Sequence, residues 1–365
     1  MARVLLLEPY FGGSHRAFAE GLARFSRHRF RLLTSPGRYW RWRMRGAAPE
    51  LAKRAGRLPS PDVLFASSML SLAEFLGLAE ERMRRAPRIL YFHENQLTYP
   101  LAEGERRDLH VVMTQVASAL AADRILFNSR HHRGEFLEAL PAFARSLPDR
   151  RPRGLAATFR RRSAVLPPGV DFATLRTSRG EPGKPASDPV LLWNHRWEMD
   201  KGKDVFLELV RHLRRRRVRF RLIVTGAPKG ARSDLFDELP RAAGDRLEHV
   251  GFAQTRAVYA RLLSRADLVV STARHEFFGI SILEAIYAGA FPLLPRALAY
   301  PEIVSPARHA ACYYGSKEEL FERTERCLRE GVPPVGSLRN EIGRFAWPAA
   351  ISRFDAAIDD LLGSV

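Results

Sequence analysis

The stretch DLVVSTARHEFFGISILEAIYAG, Asp267 to Gly289, decides how the chain is read. Its opening run has the make-up of a buried strand, and from about Gly279 the spacing of Ile282, Ile286 and Gly289 gives the inner side of a helix. Glu276 then falls in the loop at the carboxyl end of a strand, with Glu284 about a turn and a half inside the helix. Backbone N–H groups at Gly279, Ile280 and Ser281 have no partner inside such a helix and point out of its start, where a phosphate can be held. Two acids flanking a phosphate cradle suit a ligand with hydroxyls on both sides of a diphosphate, the shape of a nucleotide sugar. Either acid alone is also what an ordinary α/β loop carries.

The strand–loop–helix pattern continues in both directions. Strands are expected near Val4–Leu7, Phe30–Thr34, Val63–Ser67, Ile89–Phe92, Ile125–Asn128 and Ala164–Leu166, with helical patterns between several of them. TSRGEPGKPASDP, Thr177 to Pro189, is rich in Gly, Pro and Ser and reads as a linker. The pattern then restarts at Val190–Trp193, Phe220–Thr225, Leu247–Val250, Leu268–Ser271 and Phe291–Leu294. Alternation of this kind implies two α/β domains, each a doubly wound parallel sheet, with residues 1–176 before the linker and 190–346 after it. Two such lobes make a cleft, and ligands bind these sheets at the carboxyl ends of strands.

Composition bounds the function. The chain has 365 residues and 46% hydrophobic residues, enough to bury two cores. Cys312 and Cys327 fit neither a disulfide framework nor a metal site, so a reducing, cytoplasmic setting is expected. No apolar run approaches the roughly 20 residues needed to span a bilayer, and the N-terminal VLLL is cut off by Glu8 and Pro9. Net charge is +19, and it is unevenly spread: residues 1–176 carry 30 Lys and Arg against 16 Asp and Glu, residues 177–365 carry 29 against 24. A basic excess in the first half suggests an anionic partner there. The 53 arginines against six lysines point to genome composition bias, which does not by itself make one half more basic.

Three further segments carry candidate chemistry. Phe11-Gly12-Gly13-Ser14-His15 follows the first strand and opens a helix, so backbone can approach a phosphate or sugar closely. A tight strand-to-helix turn wants glycine anyway. No third glycine follows, and strand two ends in Thr34-Ser35 rather than an acid, which disfavours a nicotinamide cofactor. Arg196 and Lys201, in NHRWEMDKG, flank a loop at a strand end, where two cations can neutralise a departing diphosphate without a metal. No Asp-x-Asp pair occurs, so a metal-dependent transferase design is not expected. In RYWRWRMR, Arg38, Arg41, Arg43 and Arg45 interleave with Trp40 and Trp42, a pattern that grips phosphates while stacking unpaired bases, or equally an amphipathic cover. Arg151 and Arg153 add to the same charge.

The order Glu276, Phe277, Phe278, Gly279, Glu284, Ala285, Gly289 resembles the E-x-F-G…E-A…G signature of family 4 glycosyltransferases, and Arg196 with Lys201-Gly202 resembles their Arg…Lys-Gly element. The resemblance implies the GT-B fold and retention of configuration, with the terminal helix (347–365) crossing back to the first domain. It implies that Glu276 and His93 contact the donor sugar, Glu284 the ribose, and Gly12-Gly13 the diphosphate; His93 taken alone is as readily a core residue. It further implies that Gly226 and Phe252 help pack the nucleotide base, with Phe278, Gly279 and Ile280 completing the donor site. Leu166-Pro-Pro-Gly-Val-Asp171 is similar to the family's turn at the domain junction. EPYFGGSH, RYWRWRMR, LFASSMLSLAEF, ILYFHENQLTYP, FNSRHHRGEFL, NHRWEMDKG and YPEI together resemble one branch, the tRNA-queuosine α-mannosyltransferases. That branch implies GDP-mannose as donor and the queuosine of a tRNA anticodon as acceptor. Two other readings stay open: a transferase acting on an anionic lipid, which a basic first lobe also suits, and a non-catalytic RNA-binding module.

Overall fold

Val4 and Leu6 pack on one side of the first sheet and Leu5 and Leu7 on the other, and all four are buried. The same alternation holds along Val63–Ala66 and Ile89–Phe92. Strands covered on both faces need no polar side, which is why they read as unbroken apolar runs and pair in parallel. In the computed structural model, which describes residues 1–101, 104–175, 188–226 and 234–364, these strands are β1 (Arg3–Phe11), β2 (Arg29–Pro36), β3 (Val63–Ser67), β4 (Arg88–Phe92), β5 (Arg124–Phe127) and β6 (Ser163–Val165). Their order is β2-β1-β3-β4-β5-β6, parallel throughout.

The second sheet holds β7 (Val190–Trp193), β8 (Arg221–Thr225), β9 (Leu247–Gly251), β10 (Leu268–Val270), β11 (Phe291–Pro295) and β12 (Tyr313–Tyr314), in the order β12-β11-β10-β7-β8-β9 and again parallel. Among the described residues, eleven of the twelve strands fall where the apolar runs put them; β12, two residues on the sheet edge, has no such run. Each sheet turns back once on its own order, between β1 and β3 and between β7 and β10. Loops on the two sides of such a reversal diverge at the strands' carboxyl ends and open a crevice there.

The chain divides into two units, Met1–Val170 with Phe345–Val365, and Asp171–Arg344. Most of the expected linker, residues 177–187, lies outside the described residues. The terminal helix Trp347–Gly363 belongs to the first unit, entered through a parallel bridge between Val170 and Ala346. Trp347 lies where Gly21 and Gly169 have no side chain: a Cβ on either would fall 2.1 or 2.2 Å from the indole. Behind it Ile351, Phe354, Ile358 and Leu361 join Phe18, Phe65 and Tyr91 in one core. Among the described residues, no helix is long and apolar enough to cross a membrane.

Candidate active site

At the reversal of the second sheet, the loop after β7 and the loop after β10 are sewn together by backbone. Gly202 has φ 62°, and a Cβ there would sit 2.1 Å from the Thr272 carbonyl oxygen. Thr272 Oγ1 donates to the Lys201 carbonyl at 2.7 Å, and the Arg274 N–H donates to the Asp200 carbonyl at 2.8 Å. Gly226, following β8, comes in from the other side, where a Cβ would fall 2.0 Å from the His195 carbonyl oxygen. Only glycine permits these approaches.

This seam aims Lys201 inward. It is 5% exposed, and its Nζ meets the His275 carbonyl at 2.7 Å, Asp200 Oδ2 at 3.0 Å and Glu276 Oε2 at 3.3 Å. Burial works to lower its pKa, but Glu276 and Asp200 outweigh burial and hold it above the ordinary value, so it is a cation. Burial likewise works to raise Glu276, yet Lys201, His195 and the Phe278 N–H pull it down to about 2. His195 goes the other way: burial first, then Lys201, press it down to about 4, so it is neutral. Arg196 differs from Lys201 in being half exposed, 3.4 Å from Glu198 Oε1.

Glu276 leads into the helix Ile280–Ala288, whose cap residue Gly279 is left-handed at φ 100° and gives its first turn no side-chain cap. The helix start is thus a set of backbone donors beside the Lys201–Glu276 pair. Glu284, on the same helix, is buried with both oxygens engaged: Tyr259 donates to Oε2 at 3.0 Å, and Arg256 lies 2.7 Å from Oε1. Asn194, just past β7, donates to the Ser281 carbonyl at 2.8 Å and reaches the Tyr259 hydroxyl at 3.4 Å, tying the β7 loop to the helix start. Burial and Glu284 hold the Tyr259 phenol well above its usual pKa, which keeps it a donor. Phe278 is buried, whereas Phe252, after β9, is 59% exposed.

In the first unit, Gly12 follows β1 as the cap residue of the helix Gly13–Phe25, which Gly13, at φ 51°, begins. Beside this turn His93, just past β4, joins Glu8 and His15. The Glu8 carboxylate, 1% exposed, accepts from the Tyr10 N–H at 2.9 Å and from His15 Nδ1 at 3.0 Å, with His93 Nε2 3.9 Å away. Among the described residues, these three are the group whose ligand atoms converge closely enough to hold a metal ion, within 4.8 Å. The hydrogen bonds already satisfy the carboxylate without one. Burial, then His15 and His132, keep His93 well below the ordinary imidazole value.

The arginine-rich segment forms the start of the helix Trp40–Ala55. Arg38, Arg41, Arg45 and Trp42 are exposed. Arg43 turns inward toward Glu50, and Trp40 packs on the cluster of Met44, Met69 and Val111. Arg151 and Arg153 line a separate cavity of about 900 Å³ over Leu140 and Ala144.

Residues 3–170 match the family described as tRNA-queuosine alpha-mannosyltransferase N-terminal. A tRNA-queuosine alpha-mannosyltransferase of Drosophila melanogaster is 35% identical over 310 residues, which cover 82% of this chain and 81% of that protein. The chain belongs to the tRNA-queuosine alpha-mannosyltransferase family. As a member it is a glycosyltransferase, and residues 176–346 accordingly match the family described as Glycosyl transferases group 1. Its fold is that of solved GT-B structures: a sucrose-phosphate synthase from Thermosynechococcus elongatus (TM-score 0.72, 15% identity, all of both chains covered) and an OtsA structure (TM-score 0.70, 11% identity, 98% of this chain and 99% of that one).

The sequence-predicted residues of this mannosyltransferase-family chain gather unequally. Lys201 and Glu276 touch, Gly279 caps the helix that carries Ile280 and Glu284, and Gly226 abuts the His195 backbone. Asp200, Asn194, Tyr259 and Arg256, and in the first unit Glu8 and His15, were not singled out. Asp200, Asn194, Glu8 and His15 stood inside the quoted motifs, but nothing marked them as buried. Tyr259 and Arg256 lie on a different helix and gave no local signal.

Proposed function

We propose that the protein moves mannose from GDP-mannose to the queuosine nucleoside of a tRNA anticodon, with retention of configuration and without a metal. The observation that carries this reading is the ion pair of the buried Lys201 with Glu276, set beside a helix start without a side-chain cap. A fixed cation and free backbone donors suit a diphosphate that gains charge as the sugar leaves. The bond from the sugar's anomeric carbon to the diphosphate oxygen breaks through an oxocarbenium-like transition state. The acceptor hydroxyl oxygen bonds the same carbon from the same face, and its proton passes to the departing phosphate oxygen. In this reading Lys201 and Arg196 hold the leaving group, Glu276 and His93 orient the sugar, and Glu284 takes the ribose. Gly12, Gly13 and Ile280 supply amides, while Gly226, Phe252 and Phe278 belong to the donor's surroundings.

The acceptor falls to the basic first unit, through the exposed Arg38, Arg41 and Arg45 with Arg151 and Arg153; Arg43 and Trp40 support them from beneath. A tRNA substrate also fits a cytoplasmic protein with two free cysteines, Cys312 and Cys327. The test is incubation with labelled GDP-mannose and total tRNA from queuosine-containing and queuosine-lacking cells, with and without chelator, followed by nucleoside mass analysis. A hexose is expected on queuosine from the first pool and nothing from the second. No added hexose in either, or transfer abolished by chelator alone, overturns the corresponding part of the reading.

A further inference from the structure

The helix Trp40–Ala55 buries its apolar side in the first unit: Met44, Ala47, Ala48, Leu51, Ala52 and Ala55 are all in the interior. What it leaves outside is one large ring. Trp42 is 66% exposed, with Arg38, Arg41 and Arg45 exposed nearby in the chain. The ring has a seat: a Cβ at Gly46 would fall 2.6 Å from both Cε2 and Cζ2 of Trp42. The indole therefore lies across the helix one turn on, over the position where Gly46 has no side chain. Pro49, Gly77 and Leu78 continue that surface around a hollow of about 590 Å³, with Arg45 and Glu74 also lining it.

We propose that Trp42, seated on Gly46, is a stacking shelf for one unpaired base of the RNA acceptor; this rests on the reading of tRNA as substrate. An indole laid against its own helix has little rotamer freedom left to lose when a second ring covers its outer side. Stacking on an aromatic is indifferent to base identity, and the neighbouring arginines supply the attraction for phosphates on either side of the base. A membrane surface is a poorer match. An interfacial helix needs a whole apolar face turned outward, and here that face is internal.

The test compares Trp42→Ala, Trp42→Phe and Gly46→Ala with the parent protein in binding an anticodon stem-loop over a salt series. Alanine is the better helix former, so Gly46→Ala keeps the fold while its methyl pushes the indole off its seat. Trp42→Ala and Gly46→Ala are expected to weaken binding about tenfold, with Trp42→Phe close to the parent. The dependence on salt should be unchanged in all three, because no charge is removed, whereas Arg41→Ala should flatten it. Parent-like binding by Trp42→Ala and Gly46→Ala overturns the shelf, as does Trp42-dependent binding to vesicles of acidic phospholipid. If the parent transfers hexose to tRNA but is indifferent to Trp42, only the shelf fails; if it neither binds nor modifies tRNA, the substrate reading fails with it.

Discussion

Lys201 Nζ and Glu276 Oε2 stand 3.3 Å apart, the lysine anchored by Asp200 and the glutamate by the Phe278 amide. Each charge is tolerable in the interior because the other is there. Lys201→Ala strands the buried Asp200 and the largely covered Glu276, so it should destabilise the second unit by about 3–5 kcal/mol and cut turnover at least about a hundredfold, leaving tRNA affinity intact. Adding Glu276→Gln should recover part of the melting temperature and none of the turnover. Melting curves and steady-state kinetics on both variants check this; a normal kcat in Lys201→Ala removes the lysine from the chemistry.

Tyr259 holds Glu284 through one hydroxyl at 3.0 Å. Tyr259→Phe keeps the packing and removes that donor, leaving Arg256 to hold the carboxylate alone. If Glu284 receives the ribose, KM for the nucleotide sugar should rise several-fold with kcat little altered, and stability should fall by about 1 kcal/mol. An unchanged KM would mean that Glu284 does not need its phenol partner to bind the donor.

The titration of His195 gives a pH test. Its folded pKa is about 4 against an ordinary 6.5, so between these values the unfolded chain binds a proton that the folded chain does not. The stability it contributes is complete above 6.5 and is lost as pH falls toward 4; from pH 6.5 to 5 the loss is about 2 kcal/mol. Glu276, held to about 2 against 4.5, adds a second loss only below pH 4.5. Urea midpoints at pH 7 and pH 5 should therefore differ for the parent and differ less for His195→Gln, the remaining difference coming from the likewise depressed His93 of the first unit. Equal slopes in the two proteins would show that His195 is not the group titrating.

Gly202 and Gly226 should tolerate no side chain. Gly202→Ala puts a methyl 2.1 Å from the Thr272 carbonyl at a left-handed φ, and Gly226→Ala puts one 2.0 Å from the His195 carbonyl. Backbone strain alone costs about 1–3 kcal/mol, and relieving the clash must part the very loops that aim Lys201. Both variants are expected to lose more activity than stability, read as residual turnover on protein that still melts cooperatively. Full activity in either would mean the seam is looser than these distances allow.

Much of this was legible in the chain because the sheets are buried on both faces. A strand such as Val63–Ser67 then has no polar side to blur its signal, and an edge strand of two tyrosines, Tyr313–Tyr314, has too little length to give one. Lys201 and Glu276 were readable because each sits in a recognisable strand-end loop. Their mutual contact was not, since it spans 75 residues and depends on β7 and β10 being neighbours. Tyr259 on Glu284 and His15 on Glu8 are of the same kind: a tyrosine and a histidine on helices look ordinary until tertiary structure supplies the carboxylate.

Trp347 imposes an order on biosynthesis. The sheet of β1 to β6 leaves the ribosome well before the indole that fills the space over Gly21 and Gly169, because the whole of Asp171–Arg344 is encoded between them. At ordinary translation speeds that gap lasts on the order of ten to thirty seconds. Throughout it the nascent polypeptide carries an open apolar slot beside Phe18 and Tyr91, a natural target for a holding chaperone.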